Sequence, residues 1–311
     1  MRSVTKKIET LRYAFAESRV RACAATIEKL MTNDLPKKDV LAIARAAGVM
    51  AAKKTPELIP YCHPIAIDFV EIEFEVHAEA VVIRAAVEAV AKTGLEMEAL
   101  TAASVAALTV YDMLKPVDTD IEITATKLLK KTGGKTQFIE KIPHGFKAVV
   151  IVTSDSTFQG TRSDKSGRVI EERLKALGIV PDYQVLPDDK VMIASALEEY
   201  CAKGAQLIIT TGGTGLGPRD VTVEATESVI DRQIPGIMEA ARSFGQRRTP
   251  YAMLSRGVAG QKGGAVIVNL PGSSKGVEES LDAMFPAILH AYKMIGGGGH
   301  ELAVSSAKGR T

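Results

Sequence analysis

The stretch Thr210–Asp220, TTGGTGLGPRD, carries the densest chemical signal in the chain. Gly212, Gly213, Gly215 and Gly217 follow directly on the apolar run Ala205-Gln206-Leu207-Ile208-Ile209. A strand that runs into such glycines exposes successive backbone N–H groups, and these form a concave nest for an anion. Arg219 and Asp220 set a cation and a carboxylate beside that nest. The pattern points to a phosphorylated ligand held together with a metal; the plainer reading is a glycine loop that binds nothing.

A second constellation lies earlier: Lys53-Lys54, Tyr61-Cys62-His63-Pro64, Glu96-Met97-Glu98, Asp112 and Lys115. Lysines suit a polyphosphate as point charges. Histidine and carboxylates suit proton transfer. Each residue also has a structural reading. Lys53-Lys54 would be a solvated helix end and His63 a loop residue. Asp112 and Lys115, three apart, would form a surface ion pair worth a few tenths of a kcal/mol.

These residues need two frameworks to position them. A chain of 311 residues fits about two domains, and 46% hydrophobic with 24% charged residues is ordinary for a globular protein. The net charge of +2 is spread so that each half is near neutral, which argues against nucleic acid as a partner. No apolar run suggests a membrane span, and the charged N-terminus lacks a signal-peptide core, so a cytoplasmic location is expected. Cys23, Cys62 and Cys201 are too scattered for a disulfide framework or a zinc site.

In the first half, helices are expected over Arg21–Met31, Val40–Lys53 and Met97–Lys115. Strands are expected over Ile67–Glu75, Val81–Val90 and Ile121–Leu129, the first two forming a hairpin that turns near His77–Ala80. The phase of the first strand shifts at Val70-Glu71. This mixture implies an α+β sandwich of the ferredoxin-like kind over 1–140. Gln137–Gly145 reads as a linker. From 146 onward, apolar runs at Ala148–Thr153, Tyr183–Leu186, Gln206–Thr210 and Ala265–Leu270 alternate with helical stretches at Val169–Leu177, Val191–Ala202, Thr222–Arg232 and Val277–Ile295. Such alternation implies a parallel sheet with helices on both faces. The tail 296–311, led by glycines, is expected to fray.

Ligands of open α/β sheets bind beyond the carboxyl ends of the strands. Four such ends carry polar motifs here: Ser154-Asp155, Pro187-Asp188-Asp189, the glycine loop with Asp220, and Asn269-Leu270-Pro271-Gly272-Ser273. Asp188 and Asp220 are the best pair for Mg²⁺, with a helix N-cap or a turn as their structural readings.

The motifs TTGGTGLGPRDVTVEAT, PGIMEAARS, AMLSRGVAG and NLPGSSKG resemble the MogA/MoaB family over roughly 146–295. The resemblance implies a three-layer α/β molybdopterin-binding fold over 146–311. It also implies a molybdopterin adenylyltransferase, in which ATP with Mg²⁺ adenylates the molybdopterin phosphate and pyrophosphate leaves. The family's acidic positions fall on Asp188 and Asp220, and its serine on Ser255. Gly212, Gly213, Thr214 and Gly215 would hold phosphates, and Pro271, Gly272 and Ser273 complete the implied nucleotide or pterin site. A rival reading keeps this domain as a non-catalytic molybdopterin-binding scaffold.

AAKKTPELIPYCHP, KTGLEMEALTAASVAALTVYDMLK and LLKKTGGK resemble the MoaC family over nearly all of 1–137. This resemblance implies a cyclic pyranopterin monophosphate synthase, with no cofactor, acting on a cyclised guanosine triphosphate derivative and releasing pyrophosphate. Asp112 falls on the catalytic aspartate and Lys115 on its partner. Lys37, Lys53 and Lys131 match functional lysines. Tyr61, Cys62, His63, Met97 and Glu98, with Glu96 beside them, match substrate-binding positions. Lys38 stands where the family has glycine.

Glu98 and Asp112 are fourteen positions apart on one expected helix, roughly 21 Å at 1.5 Å per residue. They cannot meet on one small substrate within one copy. Antiparallel pairing of two copies of this helix, allowed by Ala102, Ala103, Ala106 and Ala107, would bring them together in an isologous dimer. The two resemblances imply a hexamer and a trimer, so a hexameric assembly is expected. Two leads fail. Gly133-Gly134-Lys135-Thr136 lacks the first glycine of a P-loop because position 129 is leucine. His290, within an apolar stretch, reads as structural.

Overall fold

The computed structural model describes residues 1–297, so from position 298 the tail expected to fray lies outside the described residues. The chain divides into two compact units, one from Met1 to Gln137 and one beginning at Phe138. Part of the expected linker is built into the second unit. Ile142 packs on that unit's core, and Glu140 pairs with His290 at 2.6 Å.

The first unit runs β1 (Thr10–Arg21), α1 (Ala24–Met31), α2 (Val40–Lys53), α3 (Thr55–Leu58), β2 (Phe69–His77), β3 (Ala80–Ala91), α4 (Glu96–Leu114) and β4 (Glu122–Thr132). The strands form one antiparallel sheet in the order β2-β3-β1-β4. Strand β1 was not expected. Its buried positions are Arg12, Ala14, Ala16, Ser18 and Val20, whereas its bulky residues Leu11, Tyr13 and Phe15 occupy the other face. A period of two written in alanine and serine gives little hydrophobic contrast. The helix expected from Arg21 starts only at Ala24, because Val20 and Arg21 still pair with β3 and β4. In β2 there is no phase break: Val70, Ile72, Phe74 and Val76 face inward together, and Phe69 lies outside them.

Helix α4 has the length and hydropathy of a membrane span, yet it is the core helix of this unit. Ala99, Ala102, Ala103, Ala106, Ala107 and Val110 are all fully buried. Ala102 and Ala106 meet α2 at Gly48, where a Cβ would stand 3.1 Å from the Ala102 carbonyl and 3.3 Å from the Ala106 methyl. The alanine stripe is therefore spent within the unit and is not free to seat a second copy of α4, as the sequence had suggested.

The second unit runs β5 (Ala148–Thr153), α5 (Asp155–Phe158), α6 (Ser166–Ala176), β6 (Asp182–Leu186), α7 (Lys190–Ala202), β7 (Leu207–Thr211), α8 (Thr222–Glu227), β8 (Arg232–Gln233), α9 (Pro235–Gln246), β9 (Ala259–Lys262), β10 (Ala265–Leu270), α10 (Ser274–Met284) and α11 (His290–Ile295). The sheet order is β6-β5-β7-β10-β9-β8. Strands β6, β5, β7 and β10 are parallel, but β9 runs antiparallel to β10 and β8 antiparallel to β9, so the sheet is mixed rather than parallel throughout. Alternate residues of the central strands feed two cores. Val150, Ile209 and Val268 pack under α6, α9 and α10, and Val149, Ile208 and Ile267 under α7 and α8. Two expected helices are shorter. The one from Thr222 stops at Glu227, and Arg232 joins β8. The one ending at Ile295 is broken at Phe285-Pro286, where Phe285 is extended before a proline that has no N–H.

Candidate functional site

In the first unit the candidate residues gather at the two ends of α4. At its C-terminal end Lys37, just before α2, reaches Asp112. Lys37 Nζ lies 2.6 Å from Asp112 Oδ2 and donates to the Asp112 carbonyl at 3.0 Å. Lys115 Nζ lies 2.7 Å from Oδ1. Lys115, then Lys37, hold the Asp112 carboxyl down at about 2. Lys38 does not disturb this arrangement, because the left-handed residue at the entry to α2 is Asp39, with φ 57°.

At the N-terminal end of α4, Glu98 is buried and accepts from the Cys62 thiol at 3.3 Å through Oε1; Oε2 has no partner. Burial raises the Glu98 carboxyl above its ordinary range. Burial and the neighbouring Glu98 push the Cys62 thiol up to about 11. Glu96 pairs with Lys131 at 3.0 Å. Both line a cavity of about 570 Å³ together with Arg12 and the Gly133-Gly134 turn. That turn, rejected as a P-loop, thus belongs to a basic pocket; Gly133, with φ 99°, lies so close to Leu11 that a Cβ would overlap its carbonyl. Tyr61 and Met97 are exposed. Lys53 and His63 make no ion pair among the described residues.

In the second unit the site forms where strand order reverses, between β5 and β7, the usual place for a ligand in an open α/β sheet. A cavity of about 250 Å³ there is lined by Asp188, Asp220, Gly212, Gly213 and Gly272, with Arg162 and Lys165 on its wall. Gly212 and Gly213 have φ 103° and 59°, and side chains there would strike the Thr153 carbonyl and the Thr222 hydroxyl. The nest is narrower than the glycine count implied. Gly212 N donates to Leu270 O and Gly217 N to Asp220 Oδ2, which leaves the amides of Gly213, Thr214 and Gly215 without partners among the described residues.

Asp188 is not the cap of α7; Asp189 is, accepting from Met192 N at 2.9 Å. Asp188 Oδ1 is instead buried with no partner, and burial raises this carboxyl above its usual range. Asp220 closes the glycine loop on Gly217 and lines the same cavity. Ser255, Pro271 and Ser273 line a neighbouring, mostly apolar cavity of about 370 Å³ with Tyr251 and Arg242. Ser255 Oγ is buried and unpartnered there, and Ser273 caps α10.

The sequence reading missed Arg256, which follows Ser255. Its backbone and side chain donate to the carbonyls of Thr214, Gly215 and Asp220, and its guanidinium meets Glu224. It also missed what Asp155 does. Arg219, expected beside the nest, turns its fork onto Asp155 at 2.8–3.1 Å. Arg256 could have been marked only by its place next to Ser255; nothing in the order of residues marks the Asp155–Arg219 pair.

Residues 1–134 match the MoaC family, and residues 149–290 match the probable molybdopterin binding domain. A molybdenum cofactor biosynthesis bifunctional protein of Chlorobaculum tepidum is 42% identical over 96% of this chain and 96% of its own. A cyclic pyranopterin monophosphate synthase of Corynebacterium efficiens is 52% identical over 44% of this chain and 88% of its own. A solved structure of the molybdopterin biosynthesis enzyme MoaB from Thermus thermophilus is 44% identical, covering 49% of this chain and 97% of that one, with a TM-score of 0.47.

Proposed function

The chain belongs to the bifunctional molybdenum cofactor biosynthesis proteins, and from that premise we propose that its units perform two separate reactions of that synthesis. The first unit converts a cyclised guanosine triphosphate derivative to cyclic pyranopterin monophosphate with loss of pyrophosphate. The second adenylates molybdopterin with ATP and Mg²⁺. Sulfur insertion separates these steps, so the fusion fixes stoichiometry rather than channelling an intermediate. Both reactions belong in the cytoplasm.

In the first reaction Asp112, held ionised, orients Lys37 and Lys115, whose ammonium groups face the phosphates. Lys115 is held protonated by Asp112, which suits it to donate a proton rather than to take one. Glu98, with an unpartnered oxygen, accepts N–H donors of the heterocycle, and Lys131 and the cavity beside it add positive charge. The helix separates these halves, so the unit works as a homo-oligomer, a hexamer, in which one copy supplies each half. A ferredoxin-like fold for this unit is supported by its β-α-β-β-α-β order and its sheet order.

For the second reaction the carrying observation is Asp188 Oδ1, a buried carboxylate oxygen with no partner at the edge of a cavity that Asp220 also lines. Such an oxygen fits a hard cation, and Mg²⁺ takes one or two carboxylates plus phosphate oxygens. Asp188 and Asp220 would hold the ion, which when bound supplies charge neutralisation at the phosphates. The unpartnered amides of Gly213, Thr214 and Gly215 bind phosphate oxygens, and the apolar cavity at Ser255 takes a flat ring.

Purified full-length protein with Mg²⁺, ATP and molybdopterin is expected to give adenylated product, and Asp188→Ala with Asp220→Ala to abolish it. If wild type binds molybdopterin but forms no product, the second unit is a binding scaffold.

A further inference from the structure

Asp188 and Asp220 sit on different elements, the end of β6 and the glycine loop after β7. Nothing in either element alone sets the distance between them. Asp155, at the end of β5, links the two.

Asp155 and Asp188 exchange hydrogen bonds. Asp155 N donates to Asp188 Oδ2 at 3.0 Å, and Asp188 N donates to Asp155 Oδ1 at 3.0 Å. This exchange fixes the Asp188 carboxylate, consumes its Oδ2 and leaves Oδ1 as its one buried, unpartnered oxygen. On its other side Asp155 receives the Arg219 fork: Nε to Oδ2 at 3.1 Å, and Nη2 to Oδ1 at 2.9 Å and to Oδ2 at 2.8 Å. Arg219 is the covalent neighbour of Asp220.

We infer that Asp155 and Arg219 are positioning residues for the cation-binding pair, a brace running Asp188–Asp155–Arg219–Asp220 that sets the spacing of the two outer carboxylates. The inference rests on the cation reading given above. Arg219 is two-thirds exposed, and exposed ion pairs contribute little to stability, so a brace of this kind shows itself in site geometry. Groups that orient metal ligands through hydrogen bonds typically change metal affinity by about 10–100-fold when removed. The geometry also limits Asp188 to one oxygen toward the ion.

The test is Mn²⁺ binding to full-length protein in the presence of a non-hydrolysable ATP analogue, followed by the electron paramagnetic resonance of free Mn²⁺. Affinity for the analogue without metal and the melting temperature are measured alongside. Asp155→Ala keeps the main-chain donor to Asp188 Oδ2 but removes the carboxylate that holds both the Asp188 backbone and the Arg219 fork, and it is expected to weaken Mn²⁺ by about 10–100-fold while metal-free nucleotide affinity stays within about twofold. Arg219→Gln leaves the Asp155–Asp188 exchange intact, and a loss of about tenfold is expected. Arg219→Lys keeps the charge but not the planar fork, so it falls between Arg219→Gln and wild type. Wild-type Mn²⁺ affinity in both Asp155→Ala and Arg219→Gln would overturn the brace. Equal loss of metal-free nucleotide binding would also overturn it, by revealing a general structural role. If wild type itself binds no Mn²⁺ with the analogue, the cation reading falls, and the brace falls with it. Should Asp155→Ala not fold, Arg219→Gln and Arg219→Lys decide the matter.

Discussion

The two units handle the same problem, gathering charged groups from distant positions, in opposite ways. In the second, parallel strands all end on one edge of the sheet. Asp188 and Gly212 therefore line one cavity, with Asp155 hydrogen-bonded to Asp188, although the chain passes through helices α5, α6 and α7 among them. In the first, the candidate groups are strung along α4, with Asp112 at one end and Glu98 at the other. One helix thus presents two carboxylates in opposite states. Asp112 is exposed and held down at about 2 by Lys115 and Lys37, and Glu98 is buried and pushed up. The strand ends bring their groups together within one copy of the chain, whereas the helix holds Asp112 and Glu98 at opposite ends. Pairs of carboxylates with divergent environments are also how one scaffold divides ionic and proton-transfer roles.

The strongest blow to this contrast would come from Asp112→Ala. It is expected to cut cyclic pyranopterin monophosphate formation by about 10²–10⁴-fold while molybdopterin adenylation is unchanged, both measured as product on the same preparation. A parallel fall in adenylation would mean the two sites are not independent. Next, Glu98→Ala and Asp112→Ala chains are each expected to be inactive in the first reaction. Co-expressed, they should recover roughly a quarter of wild-type sites if each site takes one half from each copy of an isologous pair. No recovery in particles that light scattering shows to be mixed oligomers would place both halves of the site in one copy.

The smallest effect concerns Glu98 alone. Its carboxyl is raised in the folded chain, so its contribution is fully present below the unfolded value and is lost as pH rises through the folded one. Glu98→Gln should therefore match wild type near pH 4 and melt higher at pH 8, by about 2–4 °C. A gap that widens toward acid would show that Glu98 is stabilised as a carboxylate.

Much of this was legible in the order of residues. Helix Val40–Lys53 and strands Ala148–Thr153 and Ala265–Leu270 have the bounds that periodicity and flanking turns imply. The convergence of Asp188, Asp220 and Gly212 follows from strand ends alone. What was not legible depends on tertiary partners. Strand β1 hid behind alanines, and β9 behind a polar sequence whose pairing to β10 comes from the hairpin at Gly263-Gly264. Arg219 is a cation beside a glycine nest in sequence, but in space its fork is taken by Asp155, the first residue of α5. The alanines of α4 have the spacing of a contact surface, and only packing reveals that α2 and the sheet already occupy it.

Gly48 gives the seam between α2 and α4 a consequence for inherited variation. Lys37 stands just before α2 and reaches Asp112 near the end of α4, so the separation of the two helices decides whether that reach is kept. One added carbon at position 48 enters a space only 3.1–3.3 Å from its neighbours. Over-packing of this kind costs about 1–3 kcal/mol and moves backbone. A lineage could thus lose the first reaction while keeping every charged residue of its site intact, and a survey of decayed copies that inspected only lysines and aspartates would count them as sound.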